Sequence, residues 1–457
     1  MAISSSSVKN LTISILFSIF GPLRLAAQEH LTLAQAVARA LENNPELAVD
    51  APGRQAARSD FAATRAGYLP RLDFEQSYLA GNNPVFVFGT LLTQQRFTEA
   101  NFALPSLNSP DAVKNLQTRV ALQQNIWDFG RTRVRRDEAR LGIDVADQSH
   151  EDHVRQVLLT VFEGYYSVSL ARSSLETARI ALQSAQALED QAKSRVESGL
   201  TVEADLLRSR VYLSTAEQQR IQAQGQLEIA GAQLNRLMGE ALGGPLRETA
   251  QLSPVTTPLP SEESLSAEQR QKRPDYQRLV TELHEAELAV QSRQKEFRPV
   301  LAGFASWEAD NPSFKEYGGN NWTAGITLRW NLFAGGGDAA QRDAARQRLE
   351  QKRRQVAALE SAMALEVRTA VIQYRAAEEQ VKAAQAAETE SEEGLRILRN
   401  RYDAGLATMT DLLSAETARS NARTALAGAI YKQRLGFAQV EYAAGILSPT
   451  SPAMNLQ

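Results

Sequence analysis

At 457 residues, with 43% apolar and 23% charged positions, the chain can bury one large core or two domains. A formal net charge of −3 and the lack of any Lys/Arg block argue against a nucleic-acid partner. No cysteine is present, which excludes disulfides, thiolate metal sites, a cysteine nucleophile and a lipid-anchored N-terminal cysteine.

Residues 1–27 have the pattern of a secretory signal peptide. Lys9 provides the positive region, Leu11 to Phe20 the apolar core, and Leu25-Ala26-Ala27 a cleavage site. The apolar run is shorter than the roughly 20 residues a spanning helix needs, so export is expected rather than anchoring. No later stretch could cross a bilayer as a helix. Thr32 to Gln35 fit a capping box, and Leu33, Val37 and Leu41 continue one helical face until Asn44-Pro45. A second helix is expected to reach Tyr68-Leu69-Pro70, kinked at Pro52-Gly53. The module recurs 229 residues later, in Arg273-Pro274 and Phe297-Arg298-Pro299.

After each module the period changes from helical to two. Leu116, Thr118, Val120, Leu122 and Ile126 alternate with Gln117, Arg119, Gln123 and Asn125. Trp322, Ala324, Ile326, Leu328, Trp330 and Leu332 alternate likewise with Thr323, Thr327, Arg329 and Asn331. Strands are therefore predicted over residues 71–79, 115–127, 300–307 and 322–333, each pair joined by a loop. The first pair carries 23 residues more than the second between its Pro and its Asn. One apolar and one polar face suit a barrel with lipid outside and water inside. Four strands cannot close one, because outer-membrane barrels need about eight. The free edges are expected to pair with other copies of the chain.

Two proline-free helical stretches follow the strands. Val154, Val161, Val168, Leu175 and Leu182 recur every seven residues, and Val367, Tyr374 and Val381 do so more weakly, which implies coiled-coil packing. Each stretch turns at a repeated motif, RVESGLTVEADLL from Arg195 and RYDAGLATMTDLL from Arg401, at an offset of 206. Gly199 and Gly405 end the ascending helices. The organisation expected is a first repeat over 28–245 with a helical hairpin at 131–239, and a second over 274–445 with a hairpin at 338–445. A linker at 246–273 is expected to run as an extended strap outside the assembly, and 446–457 form a tail.

No catalytic constellation is visible, so neither an enzyme nor a cofactor is expected. His150 and His153 have metal-ligand spacing, but with no third ligand evident they read as a solvated helix face. Gly335-Gly336-Gly337 lacks the Lys-Ser/Thr of a phosphate loop and reads as a strand-to-helix turn.

The doubled order of capping helix, Asn-Pro, Tyr-Leu-Pro, strands, Asn-Ile-Trp-Asp-Phe-Gly, long helix, Gly-Leu-Thr and Asp-Leu-Leu resembles the TolC-type outer membrane efflux proteins, over roughly Leu31 to Gly445. The resemblance implies a mainly α protein with a membrane β-barrel. In it, each repeat gives two strands to a trimeric, twelve-stranded barrel and long helices to a periplasmic coiled-coil tunnel. It further implies a passive exit duct in outer membrane lipid, working with a periplasmic adaptor and an inner-membrane pump. The adaptor would meet the tips at Gly199, Leu200, Thr201, Gly405, Leu406 and Ala407.

The resemblance also implies an acidic periplasmic aperture at Asp205, Asp411 and Glu203, with Tyr402 in a polar lock. Ala407 and Ser414 stand where an arginine partner and a second acidic ring often occur, which implies fewer locking bonds. Asp411 has a local role available as well, because Thr408 to Asp411 fit a capping box. A type I protein secretion duct is the alternative within the class. A periplasmic adaptor or scaffold is the alternative outside it, and would carry one hairpin rather than two.

Overall fold

The computed structural model describes residues 30–456, so the signal-peptide reading of residues 1–27 lies outside the described residues. Helix α1 (Leu33–Asn43) starts at a reciprocal capping box: the Gln35 N–H donates to Thr32 Oγ1, and the Thr32 N–H donates to Gln35 Oε1. Asn44 caps α2 (Pro45–Ala48) by accepting from the Glu46 and Leu47 N–H groups. Helix α3 (Asp50–Ala63) then runs unbroken through Pro52-Gly53. The interruption falls just before this pair, at Val49 between α2 and α3, and Pro52 lies in the first turn of α3, where its missing N–H has no intrahelical acceptor.

A 3-10 turn (Thr64–Tyr68) leads into β1 (Arg71–Gly81). The connection to β2 (Val113–Trp127) was expected as plain loop, yet it holds α4 (Pro84–Thr93) and α5 (Leu104–Asn108). Asn83 caps α4 through Val85 and Phe86, the Asn-Pro arrangement already seen at α2. Helices α6 (Arg131–Glu197) and α7 (Glu203–Leu237) form the first hairpin. The strap is extended only as far as Ser261, because α8 (Glu262–Lys272) occupies its last part, capped by Ser261. Helix α9 (Pro274–Lys295) follows, then β3 (Val300–Asn311) and β4 (Gly319–Arg329). Strand β4 stops short of Leu332 because its partner β3 begins at Val300, opposite Arg329, and leaves nothing further to pair. The second hairpin is α10 (Gly337–Asp403) with α11 (Met409–Ala444).

The four strands make one antiparallel sheet in the order β1-β2-β3-β4. Paired residues share a face, so the register sorts the side chains. Phe74, Val120, Trp307 and Trp322 form one row on an exposed apolar face; Phe74 is 69% exposed and Trp322 77%. The other face carries Ser77, Gln117, Asp310 and Gly319, then Glu75, Arg119, Glu308 and Asn321, with Arg119 and Glu308 paired at 3.1 Å. The outer edges of β1 and β4 have no strand partner among the described residues.

Helices α6 and α10 each span 67 residues, about 100 Å at 1.5 Å per residue. The main core gathers Val161, Phe162, Tyr165 and Val168 of α6 against Val367 and Tyr374 of α10 and Phe437 and Val440 of α11. Arg434 of α11 is buried within it. Its guanidinium donates to Ser253 O at 2.6 Å and Tyr166 Oη at 2.6 Å, and fastens the strap to the helices.

The two histidines of α6 do have an acidic partner, which sequence spacing could not show. Asp50 of α3 bonds His150 Nδ1 at 2.9 Å and His153 Nδ1 at 2.8 Å, one carboxylate oxygen to each. Burial opposes ionisation of Asp50, but hydrogen bonds and charge from the two histidines outweigh it and hold the carboxyl below its ordinary value. A depressed carboxylate stabilises the fold above about pH 4 and loses that contribution as the pH falls through its folded value. Asp50→Asn is expected to lower the melting temperature at pH 7 and progressively less below pH 4. Thermal unfolding across that range checks it; a loss independent of pH would remove the ionic contribution.

Candidate functional site: the hairpin tips

The two turns are built alike because the sequence repeats Arg-x-x-x-Gly-Leu. Gly199 and Gly405 take positive φ, +70° and +73°. Leu200 N–H then donates to Arg195 O at 2.8 Å, and Leu406 N–H to Arg401 O at 2.7 Å. Gly199 N–H reaches Val196 O and Gly405 N–H reaches Tyr402 O, both at 3.0 Å, completing a Schellman closure in each turn. Leu200 and Leu406 project outward, 77% and 68% exposed, beside exposed Gly199 and Gly405 and half-buried Thr201 and Ala407.

The acids differ between the turns. Thr201 Oγ1 donates to Asp205 Oδ2 at 2.6 Å, and Arg208 donates to Asp205 Oδ1 at 3.2 Å. Asp411 is exposed and makes a full capping box with Thr408: it accepts from the Thr408 N–H at 3.0 Å and hydroxyl at 2.7 Å. Those Thr408 donors hold the Asp411 carboxyl below the usual range. Glu203 is exposed in the first turn of α7, where a carboxylate complements the helix dipole.

Tyr402 is not in a bond with either acid. The residue is 4% exposed and packs with Leu188, Ala192, Leu395, Met409 and Leu412, and its hydroxyl makes no hydrogen bond of normal geometry among the described residues. Burial pushes the hydroxyl pKa up, against the opposing charge of Arg195. Arg195 of α6 joins the two hairpins at their tips. Its guanidinium lies 4.5 Å over the Tyr402 ring and donates to Tyr402 O at 3.2 Å and Asp403 O at 3.3 Å. Gln191 adds a bond to Asp403 Oδ1 at 2.8 Å. The repeat-equivalent Arg401 reaches only its own turn, at Leu406 O and 3.4 Å.

A second ionic group lies one step deeper. Glu416 of α11 is 1% exposed and accepts from Arg399 at 2.5 Å, with Arg419 at 3.4 Å. Burial, with Glu416 adding to it, pushes the Tyr212 hydroxyl up to about 12. Ser414, where the resemblance would place a second acid, has none; Glu416, two residues on, is an acid but is paired rather than free. Between α7 and α11, Tyr212 also lines a groove of about 720 Å³, together with Leu207, Val211, Leu413 and Thr417. Arg195 stood inside the repeated motif, and its unequal neighbours, Val196 against Tyr402, were the available signal. Nothing in the sequence marked Glu416.

Comparison with known proteins matches this architecture. A family model described as outer membrane efflux protein matches residues 36–240 and 265–445. The chain is 26% identical over 419 residues to the alkaline protease secretion protein AprF of Pseudomonas aeruginosa, covering 89% of this chain and 83% of that one. It is 23% identical over 454 residues to the proteases secretion protein PrtF of Dickeya chrysanthemi, covering 95% and 92%. Among solved structures, the Campylobacter jejuni CmeC outer membrane channel superposes with a TM-score of 0.78 at 17% identity, covering 97% of this chain and 96% of that one. The Vibrio cholerae outer membrane protein VceC does so with a TM-score of 0.72 at 18% identity, covering 90% and 96%. At such identities the structural likeness establishes the fold alone.

Proposed function

The chain belongs to the outer membrane efflux protein family, and from that premise we propose that it is the exit duct of a tripartite efflux system. It is an outer membrane channel; the assembly, partners and gate are what the proposal adds. The observation that carries it is the four-stranded sheet with one exposed apolar face and two unpaired edges, joined to two pairs of long helices. Three copies pairing β4 of one with β1 of the next give twelve strands, closed with no free edge. Lipid then faces Phe74, Trp307 and Trp322, and water faces Arg119, Glu308 and Asp310. Residues 28–245 and 274–445 act as two structural repeats joined by 246–273.

The tunnel ends at the tips, where Gly199, Leu200, Thr201, Gly405, Leu406 and Ala407 meet a periplasmic adaptor bound to an inner-membrane pump. Leu200 and Leu406 are exposed at those tips and so available to such a partner. Asp205, Asp411, Glu203 and Tyr402 surround the periplasmic aperture, the acids drawing cations and Tyr402 holding the two hairpins in register from within.

Planar-bilayer recording of the purified protein beside its mass tests the reading. A trimer with small, cation-selective steps supports it, and a monomer without conductance sinks the barrel. Asp205→Asn and Asp411→Asn are each expected to reduce cation selectivity. The depressed Asp411 carboxyl predicts that its share of the selectivity survives acidification to about pH 4 and fades below. Selectivity unchanged by both substitutions would leave the acids as local caps.

A second reading has its own support. Both named relatives are protease secretion proteins, so the cargo passed by this duct is a polypeptide in that reading. Export of a reporter protease in a host lacking its own duct separates the two.

A further inference from the structure

The 23 extra residues of the first strand pair fold back on the sheet, and the register tells which way. Asn115, Gln117 and Asp310 lie on the polar face, at the end of the sheet away from the long helices. Gln94, one residue past α4, donates to Lys114 O at 2.7 Å and to Asn115 Oδ1 at 3.0 Å. Asn115 in turn donates to Asp310 Oδ1 at 2.6 Å. All three side chains are at least 95% buried. Gly319 pairs with Asp310, and a Cβ placed on it would meet Thr93 O at 2.3 Å and the Gln95 side chain at 2.7 Å. The end of α4 therefore rests on the polar face of the sheet, opposite the apolar one.

The seat is poised rather than fixed. Gln94 Oε1 and Asp310 Oδ2 are buried with no donor among the described residues, and Gln95 is held at a φ of +54°. Buried acceptors without donors favour release into water, where both regain partners. Left-handed backbone at a residue with a Cβ adds to that tendency.

We propose that residues 84–110 are a lid over the exit of the barrel, latched by the chain Gln94, Asn115 and Asp310 on the lumen wall. The lid rests on the barrel reading above, since only a closed barrel makes the polar face a lumen. It closes the end opposite the hairpin tips, so exit and entrance are gated by separate parts of the chain.

The chain has no cysteine, so single introduced thiols report without background. Thr323→Cys stands on the polar face below the latch, Tyr317→Cys in the β3–β4 turn is 97% exposed, and Phe74→Cys stands on the apolar face. Intact cells making the full chain are treated from outside with a polymer-linked maleimide. A lid closed nine-tenths of the time slows labelling at Thr323→Cys about tenfold, and Asn115→Ala restores it. Replacing residues 84–110 by an Asn-Gly turn is expected to do the same, with Tyr317→Cys unaffected throughout. Equal rates at Thr323→Cys with and without the latch and the segment overturn the lid. Labelling of Phe74→Cys as fast as Thr323→Cys overturns the barrel instead.

Discussion

Arg195→Ala is expected to enlarge the single-channel step and raise the open fraction, while Arg401→Ala, its repeat equivalent, leaves both nearly unchanged. Arg195 holds two backbone carbonyls of the opposite hairpin, stacks on Tyr402 and lies 3.7 Å from the Asp403 carboxylate. Asp403 is half exposed, so its charge is screened and adds little. The stacking and the two charged hydrogen bonds together hold the tips by about 2 kcal/mol. Losing that changes the ratio of joined to parted tips about 30-fold. Arg195→Lys keeps the charge but not the planar fork, and is expected to recover only part. Tyr402→Phe keeps the ring under Arg195 and removes a hydroxyl with no hydrogen bond of normal geometry among the described residues, so it is expected to have a far smaller effect, which separates a clasp made by Arg195 from a lock made by the tyrosine hydroxyl. Identical steps in Arg195→Ala and Arg401→Ala would remove the clasp.

That contrast shows what a single sequence carries. Helical propensity, the seven-residue spacing around Val161 and Val168, and the alternation through Leu116 to Ile126 are local signals, and local signals define a mostly helical chain with an antiparallel sheet. The Arg195 clasp joins residues 207 and 208 apart, and the side of a helix facing a distant partner is fixed by packing, not by residue type. Asp50 is also remote from His150, 100 residues away, so the sequence alone leaves the histidine pair solvated. Helix α4 was missed for a different reason. Its run Pro84 to Thr93 is apolar but for Gly89, Thr90 and Thr93 and too short for periodicity to distinguish helix from buried strand, although Asn83-Pro84 repeats the cap of Asn44-Pro45. The break falls at Val49 rather than at Pro52-Gly53 because the position of a proline within a helix decides its effect, and the start of α3 at Asp50 is not visible in the sequence.

Gly239→Ala is expected to be the most damaging of three alanine substitutions made at glycines of matching conformation, with Gly445→Ala next and Gly405→Ala mild. All three have positive φ, +71°, +80° and +73°, so each substitution carries the same left-handed strain of roughly 1–2 kcal/mol. What differs is the space. At Gly405 a Cβ meets nothing within 4 Å, and strain is the whole cost. At Gly445 it would come within 2.9 Å of Arg273 Cγ and 3.2 Å of the Lys272 carbonyl carbon. The side chain can shift there, but its ion pairs with Asp275 and Glu366 resist. At Gly239 the Cβ would stand 2.1 Å from Asn43 O, a backbone atom. Asn43 cannot retreat alone, because Asn44 donates to Leu237 O at 2.9 Å and Arg39 pairs with Glu240 at 3.1 Å. Relief therefore means lifting α1 from the end of α7 and exposing Ala36, Val37 and Ala40, for a total above about 4 kcal/mol. Denaturant midpoints of the three detergent-purified variants give the ordering directly. Equal losses at Gly239 and Gly405 would mean that α1 yields without cost, and that the seat of the N-terminal module on the first hairpin is loose.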